Sequence, residues 1–77
     1  MGSAATTVVY TKPNCPYCAA AMQDLTARGE AFVEKDATRD LFFKRELMRF
    51  SKNTGMVPTI VREGGADVQV GFPPGSG

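Results

Sequence analysis

"TTVVYTKPNCPYCAAAM", residues 6–22, changes its periodicity within a few positions. Thr6-Thr7-Val8-Val9-Tyr10-Thr11 is short, β-branched and aromatic, and Lys12-Pro13-Asn14 ends it, so it reads as a buried strand. From Pro16 to Arg28 the pattern is helical. Cys18, Met22 and Leu25 recur at steps of four and three, and Gly29 stands where a C-terminal cap belongs. The exit of a strand and the entrance of a helix therefore lie together, with Cys15 at the junction. Cys15 and Cys18 are the only 2 cysteines in the chain.

Working outward, Phe32 to Asp36 ("FVEKD") alternates apolar and charged residues and reads as a second strand. Two strands joined by one helix make a βαβ unit, which implies parallel pairing and a right-handed crossover. Thr38 or Asp40 can cap a second helix over "LFFKRELMRF", with Phe43, Leu47 and Phe50 on one stripe, and Phe42 is also expected to pack inward. "SKNTG" ends that helix. Val57 to Arg62 and Asp67 to Phe72 are two further strands, and the short Glu63-Gly64-Gly65-Ala66 connection forces an antiparallel hairpin. The expected fold is α/β: β-α-β-α-β-β, a four-stranded mixed sheet with helices packed on it. Residues 1–77 form a single domain, in which 73–77 ("PPGSG") is a flexible tail and any C-terminal helix is short or absent.

Composition narrows the function classes. The chain is 43% hydrophobic and 22% charged with a formal net charge of +1, a balance that gives no pointer to nucleic acid. No apolar run is long enough to span a bilayer, and "MGSAATTVVY" lacks the basic start and apolar stretch of a signal peptide. A cytoplasmic location is expected, where thiols stay reduced and a CxxC pair is catalytic or metal-binding more often than structural. The chain has 0 histidines, so imidazole bases and ligands are out of consideration.

Chemistry at the pair follows from its position. The first amides of a helix lack intrahelical partners, and that end carries roughly half a positive charge. A thiolate at Cys15 can accept from the amides of Tyr17 and Cys18, Pro16 suits the first helical turn, and Lys12 adds a cation. Cys15 is thus expected to ionise more readily than an ordinary thiol, which is only about 3% thiolate at pH 7. The gain in attack is largely offset by lower intrinsic nucleophilicity, whereas a good leaving thiolate speeds release of a mixed disulfide. Cys18, one turn in and on the inward stripe, stays a thiol until needed. Cys15 is the nucleophile and Cys18 the resolver. Two other uses are weaker. As a staple, the pair closes a loop so short that it stabilises by roughly 2 kcal/mol before strain. As a zinc site, it supplies two ligands where four are needed, so no metal is expected.

A second motif, "GMVPTI", puts Val57-Pro58 at the opening of the third strand, where an ordinary trans proline is the default reading. CPYC at a strand-to-helix junction, a Lys three residues before it, and a later Val-Pro opening a hairpin together resemble the glutaredoxins. The resemblance covers about residues 6 to 72. It implies a thioredoxin-like fold and glutathione-coupled reduction of protein disulfides and mixed disulfides, with a Val57-Pro58 cis bond presenting backbone to the glutathione cysteine. Lys12 and Tyr17 match positions lining the glutathione groove. Lys44 or Arg45 would supply a cation for a glutathione carboxylate, and the spacing to Val57 favours Lys44.

Three features depart from the family pattern. Met56 replaces the usual Thr before Val-Pro. In "VGFPPGSG", Gly71 matches the first of two glycines that hold the γ-glutamyl end, but Phe72 replaces the second and no acid follows. The family's closing helix is absent from these 77 residues, so either this is a minimal form or the chain continues beyond them. "TKPNC" and the terminal Gly71-Phe72-x-Pro74 look similar to the glutaredoxin-like redoxins, which are recharged by thioredoxin reductase and donate electrons to ribonucleotide reductase, although their middle dipeptide is usually not Pro-Tyr. The expected partners are accordingly glutathione or thioredoxin reductase together with disulfide-bearing proteins, acting on a monomer. A dimer binding a [2Fe–2S] cluster through Cys15 and glutathione is a further alternative, disfavoured by the stiff Pro16. Arg45, Arg49 and Lys52 fall on one basic helical face. Phe72 is either core or a partner-docking surface.

Overall fold

The computed structural model describes residues 6–75, so the first five residues of the N-terminal stretch and the last two of the tail lie outside it. Strand β1 (Thr7–Thr11) leads through a short loop to α1 (Pro16–Ala27), followed by β2 (Phe32–Asp36), α2 (Leu41–Phe50), β3 (Thr59–Arg62) and β4 (Asp67–Val70). The sheet order is β2-β1-β3-β4. β1 pairs parallel with β2, while β3 runs antiparallel to both β1 and β4. The βαβ unit and the terminal hairpin are thus as the sequence pattern predicts, and the sheet is mixed.

Central β1 is covered on both faces, which explains its unbroken apolar run. Val9 faces Ala21, Leu25 and Ile60 in one cluster, against which Phe32 and Phe72 pack. Tyr10 faces the other cluster with Leu47, Val57 and Val61, and this cluster also takes in both cysteines. Leu25 is fully buried, so truncating it to Ala would cost on the order of 2–5 kcal/mol.

Several expectations are corrected. The inward face of α1 is Cys18, Ala21 and Leu25, with Met22 only half-buried. On α2 the expected stripe holds, with Leu47 buried, Phe43 half-buried and Phe50 half-buried against the core cluster, but Phe42 is 68% exposed instead of packing inward. A ten-residue helix on one sheet face has a single inward line, and Phe42 falls off it. Asp40 caps α2 by accepting from the Phe42 amide, whereas Thr38 is engaged in a turn with Asp36. β3 starts after Pro58, which has no N–H to give the ladder, and β4 ends at Val70. Gly71 there adopts φ 88 and a cis Phe72-Pro73 bond follows; residues 71–75 are turn, and no helix closes the described chain. Phe72 packs half-buried against the core cluster. The hairpin connection is a tight turn over Glu63–Gly65 in which all three residues have positive φ.

Candidate active site

Cys15 occupies the N-cap of α1 with extended backbone, and Pro16 follows at the first helical position. Its Sγ accepts from the Cys18 amide at 3.2 Å, and its carbonyl accepts from Ala19 at 3.1 Å, opening the helical ladder. Of the two amides expected to reach the sulfur, that of Cys18 does. Asn14, at φ 58, turns the chain from the β1 exit into the helix. Both thiols are free. Both are buried, Cys15 8% exposed at the helix start and Cys18 2% exposed one turn in.

Burial pushes the Cys18 thiol up to about 12, and its hydrogen bond with Cys15 adds to this; the Lys12 backbone and charge pull the other way. Cys18 is therefore a protonated thiol at neutral pH. A hollow of about 590 Å³ is lined by both cysteines, Lys12, Pro16 and Glu34. Glu34 was not singled out by the sequence. It accepts from buried Thr11 Oγ1 at 2.9 Å, and its alternation with Phe32 along β2 is the one signal that could place it on the α1 side.

A second, larger groove of about 780 Å³ runs between the β1 exit, the N-terminal turn of α2 and the loop before β3. Lys12, Lys44 and Val57 all line it, so the structure brings these three sequence-predicted residues together. Lys44 is among the residues lining this groove and Arg45 is not. The Val57-Pro58 peptide is cis, against the default trans reading and in keeping with the resemblance. Tyr17 projects from the helix start, 44% exposed.

Met56 and Gly71 serve the loop. The Met56 carbonyl accepts from Thr59 Oγ1 at 2.7 Å and its amide donates to Thr54 Oγ1 at 3.2 Å. Gly71 is buried, and its amide donates to the Pro58 carbonyl at 2.8 Å, tying the end of β4 to the cis-proline segment. Sequence reasoning also missed Glu46, whose Oε1 accepts from Tyr10 Oη at 2.7 Å and from Lys35 Nζ at 3.2 Å. Tyr10 packs in the same cluster as the cysteines, so this bond anchors a wall of the site to α2. Among the described residues no three Cys, Asp or Glu side chains gather into a metal site, and no helix is long and apolar enough to cross a membrane.

Among solved structures, a crystal structure of a mutant of the thioredoxin-like protein BC3987 is similar over 87% of this chain and 86% of its own, at 28% identity and a TM-score of 0.72. A solution structure of glutaredoxin from Brucella melitensis is 33% identical, covering 91% of this chain and 73% of that one, with a TM-score of 0.68. No curated protein matches the sequence closely enough to count as a relative. The fold is therefore thioredoxin-like, and the glutaredoxin family model matches residues 7–65, from the start of β1 through the active helix to the hairpin turn. With a cysteine capping the first helix, a second one turn behind it, and this match over most of its length, the chain belongs to the glutaredoxin family of thiol–disulfide oxidoreductases.

Proposed function

We propose that the chain reduces protein disulfides and glutathione mixed disulfides, with Cys15 attacking and Cys18 resolving. The observation that carries this reading is the Cys15 sulfur at the helix mouth, accepting the Cys18 amide at 3.2 Å, with Cys18 buried behind it. In the first step the Cys15 thiolate attacks one sulfur of the substrate disulfide. A Cys15–substrate bond forms, the substrate S–S bond breaks, and the departing thiolate takes a proton from water. Cys18 then loses its proton and attacks Cys15 Sγ, forming the Cys15–Cys18 disulfide and expelling the second substrate thiol. Two electrons have passed to the substrate. Two molecules of glutathione return them, becoming glutathione disulfide.

In this reading glutathione lies in the groove beside Cys15. Val57 offers backbone to its cysteine, Lys12 and Lys44 lie within the groove for its carboxylate, Pro16 shares the smaller hollow with Cys15, and exposed Tyr17 is offered as a further contact. Met56, Pro58 and Gly71 hold the Val57 loop in place. The protein acts as a cytoplasmic monomer. Recharging by thioredoxin reductase is the competing donor, favoured by Gly71-Phe72 and by Pro73-Pro74 in place of an acid directly after them.

Cys15→Ser is expected to abolish disulfide reduction. Cys18→Ser is expected to accumulate mixed disulfides while still turning over glutathionylated substrates. Wild-type rates in Cys15→Ser would refute the assignment. NADPH consumption with glutathione and glutathione reductase, run beside thioredoxin reductase, distinguishes the donors: turnover with thioredoxin reductase alone would overturn the glutathione reading.

A further inference from the structure

Charge on this molecule is unevenly partnered. Arg28, Lys35, Arg39 and Arg62 each lie within 4.0 Å of a carboxylate, but among the described residues Lys44, Arg45, Arg49 and Lys52 do not. All four are exposed, on α2 or just past its end. The acids of this helix are turned elsewhere: Glu46 to Tyr10 and Lys35, and Asp40 into its cap. At the N-terminal turn of the same helix Leu41 and Phe42 are 61% and 68% exposed.

Local helix energetics accounts for only part of this. Cations near the C-terminus favour the helix dipole, which covers Arg49 and Lys52. Arg45 lies mid-helix, and neither its charge nor the exposed ring of Phe42 contributes to the helix in that way. The face is positive along its length with an apolar end, about 15 Å long for ten residues. A nucleic acid would leave Leu41 and Phe42 unburied. A membrane surface calls for apolar residues along the whole face, and here they are confined to the first turn. Leu41 and Lys44 also line the groove that reaches Lys12, three residues before Cys15, so chain laid along α2 leads toward the sulfur.

We propose that the outer face of α2 docks protein substrates in which the target disulfide is flanked by an acidic segment carrying an aliphatic or aromatic anchor. The acidic side chains pair with Arg45, Arg49 and Lys52, and the anchor covers Phe42 and Leu41. This rests on the thiol–disulfide reading above and adds a substrate class to it. Charge complementarity of this kind acts mainly on encounter and on KM, and weakens with salt.

The test uses two synthetic peptides with the same internal disulfide. One carries Asp, Glu and a Leu beside it; its twin carries Lys in place of the acids. The wild-type protein is expected to show kcat/KM about tenfold higher for the acidic peptide at low salt, with the preference collapsing near about 0.5 M salt. Arg45→Glu with Arg49→Glu should invert the preference. Phe42→Ser should raise KM for the acidic peptide severalfold without changing kcat, and both variants should reduce hydroxyethyl disulfide at the wild-type rate. Equal kcat/KM for the two peptides overturns the proposal. So does sedimentation of the protein with phosphatidylglycerol vesicles without any peptide preference. An acidic peptide lacking cysteine, titrated while amide shifts of α2 are followed by NMR, reads docking independently of chemistry. If hydroxyethyl disulfide is not reduced with either glutathione or thioredoxin reductase as donor, the thiol reading fails alone, and the titration still decides the docking.

Discussion

Cys15 and Cys18 are three residues apart and hold opposite stations, and the difference is one of backbone rather than of side-chain chemistry. A cap residue has extended backbone and points its side chain at unpaired amides; a residue one turn later has helical backbone and points into the sheet. Burial then keeps Cys18 protonated, with a value near about 12 where an ordinary thiol stands at 9.0. Each unit of that rise is tenfold in the thiolate fraction below the ordinary value. In a Cys15→Ser variant Cys18 is the single remaining thiol, and losing the hydrogen bond to Cys15 gives back part of the rise while burial retains most of it. Alkylation by iodoacetamide at pH 9 should be at least about tenfold slower than for free cysteine. A rate equal to that of free cysteine would mean that Cys18 is open to solvent, and the resolving step would lose its gate.

At the scale of elements, β1 and α1 were legible because their signals are local: a β-branched run, a change of period, a proline at the first helical position and a glycine after the end. The second helix was legible as a helix and in its inward line of Phe43, Leu47 and Phe50, but not in which ring is left out. "LFFKRELMRF" contains more apolar residues than one inward line can bury. The Thr38 and Asp40 alternatives were equally open, since both residue types cap helices. The structure makes Asp40 the cap, its Oδ1 accepting from the Phe42 amide at 2.8 Å. Asp40→Ala should therefore destabilise by about 1 kcal/mol, lowering Tm by about 4–8 °C for a chain of this size. Asp40→Asn should recover most of the loss, because an amide oxygen caps nearly as well. Phe42→Ala should cost under about 0.5 kcal/mol, the ring being exposed. Thermal unfolding of the three variants checks the ordering, and a larger loss from Phe42→Ala than from Asp40→Ala would contradict it.

Across the whole molecule, what the sequence could not disclose is how distant residues clamp the sheet, because partners 32 and 36 positions apart leave no local pattern. Glu30, in the loop between α1 and β2, accepts from Arg62 Nε at 2.7 Å and Nη2 at 3.2 Å, and from Thr7 Oγ1 at 2.8 Å. It thereby joins the start of β1 to the end of β3. The Arg62 hydrogen bonds hold the Glu30 carboxyl below its ordinary 4.5, with the Thr7 bond adding to the effect. Because the folded value is depressed, the unfolded chain takes up the proton first as pH falls. The stability that Glu30 contributes is therefore complete above its ordinary value and lost as pH drops through the folded one. The pair is partly exposed to water, which limits its worth, so Glu30→Gln should destabilise by about 1–2 kcal/mol at neutral pH. Urea unfolding of wild type and variant should show that gap narrowing progressively as pH falls below about 4.5, as the wild-type carboxyl also becomes neutral. A gap that stays constant across this range would mean that the shape of the side chain, and not its charge, holds the two strands together.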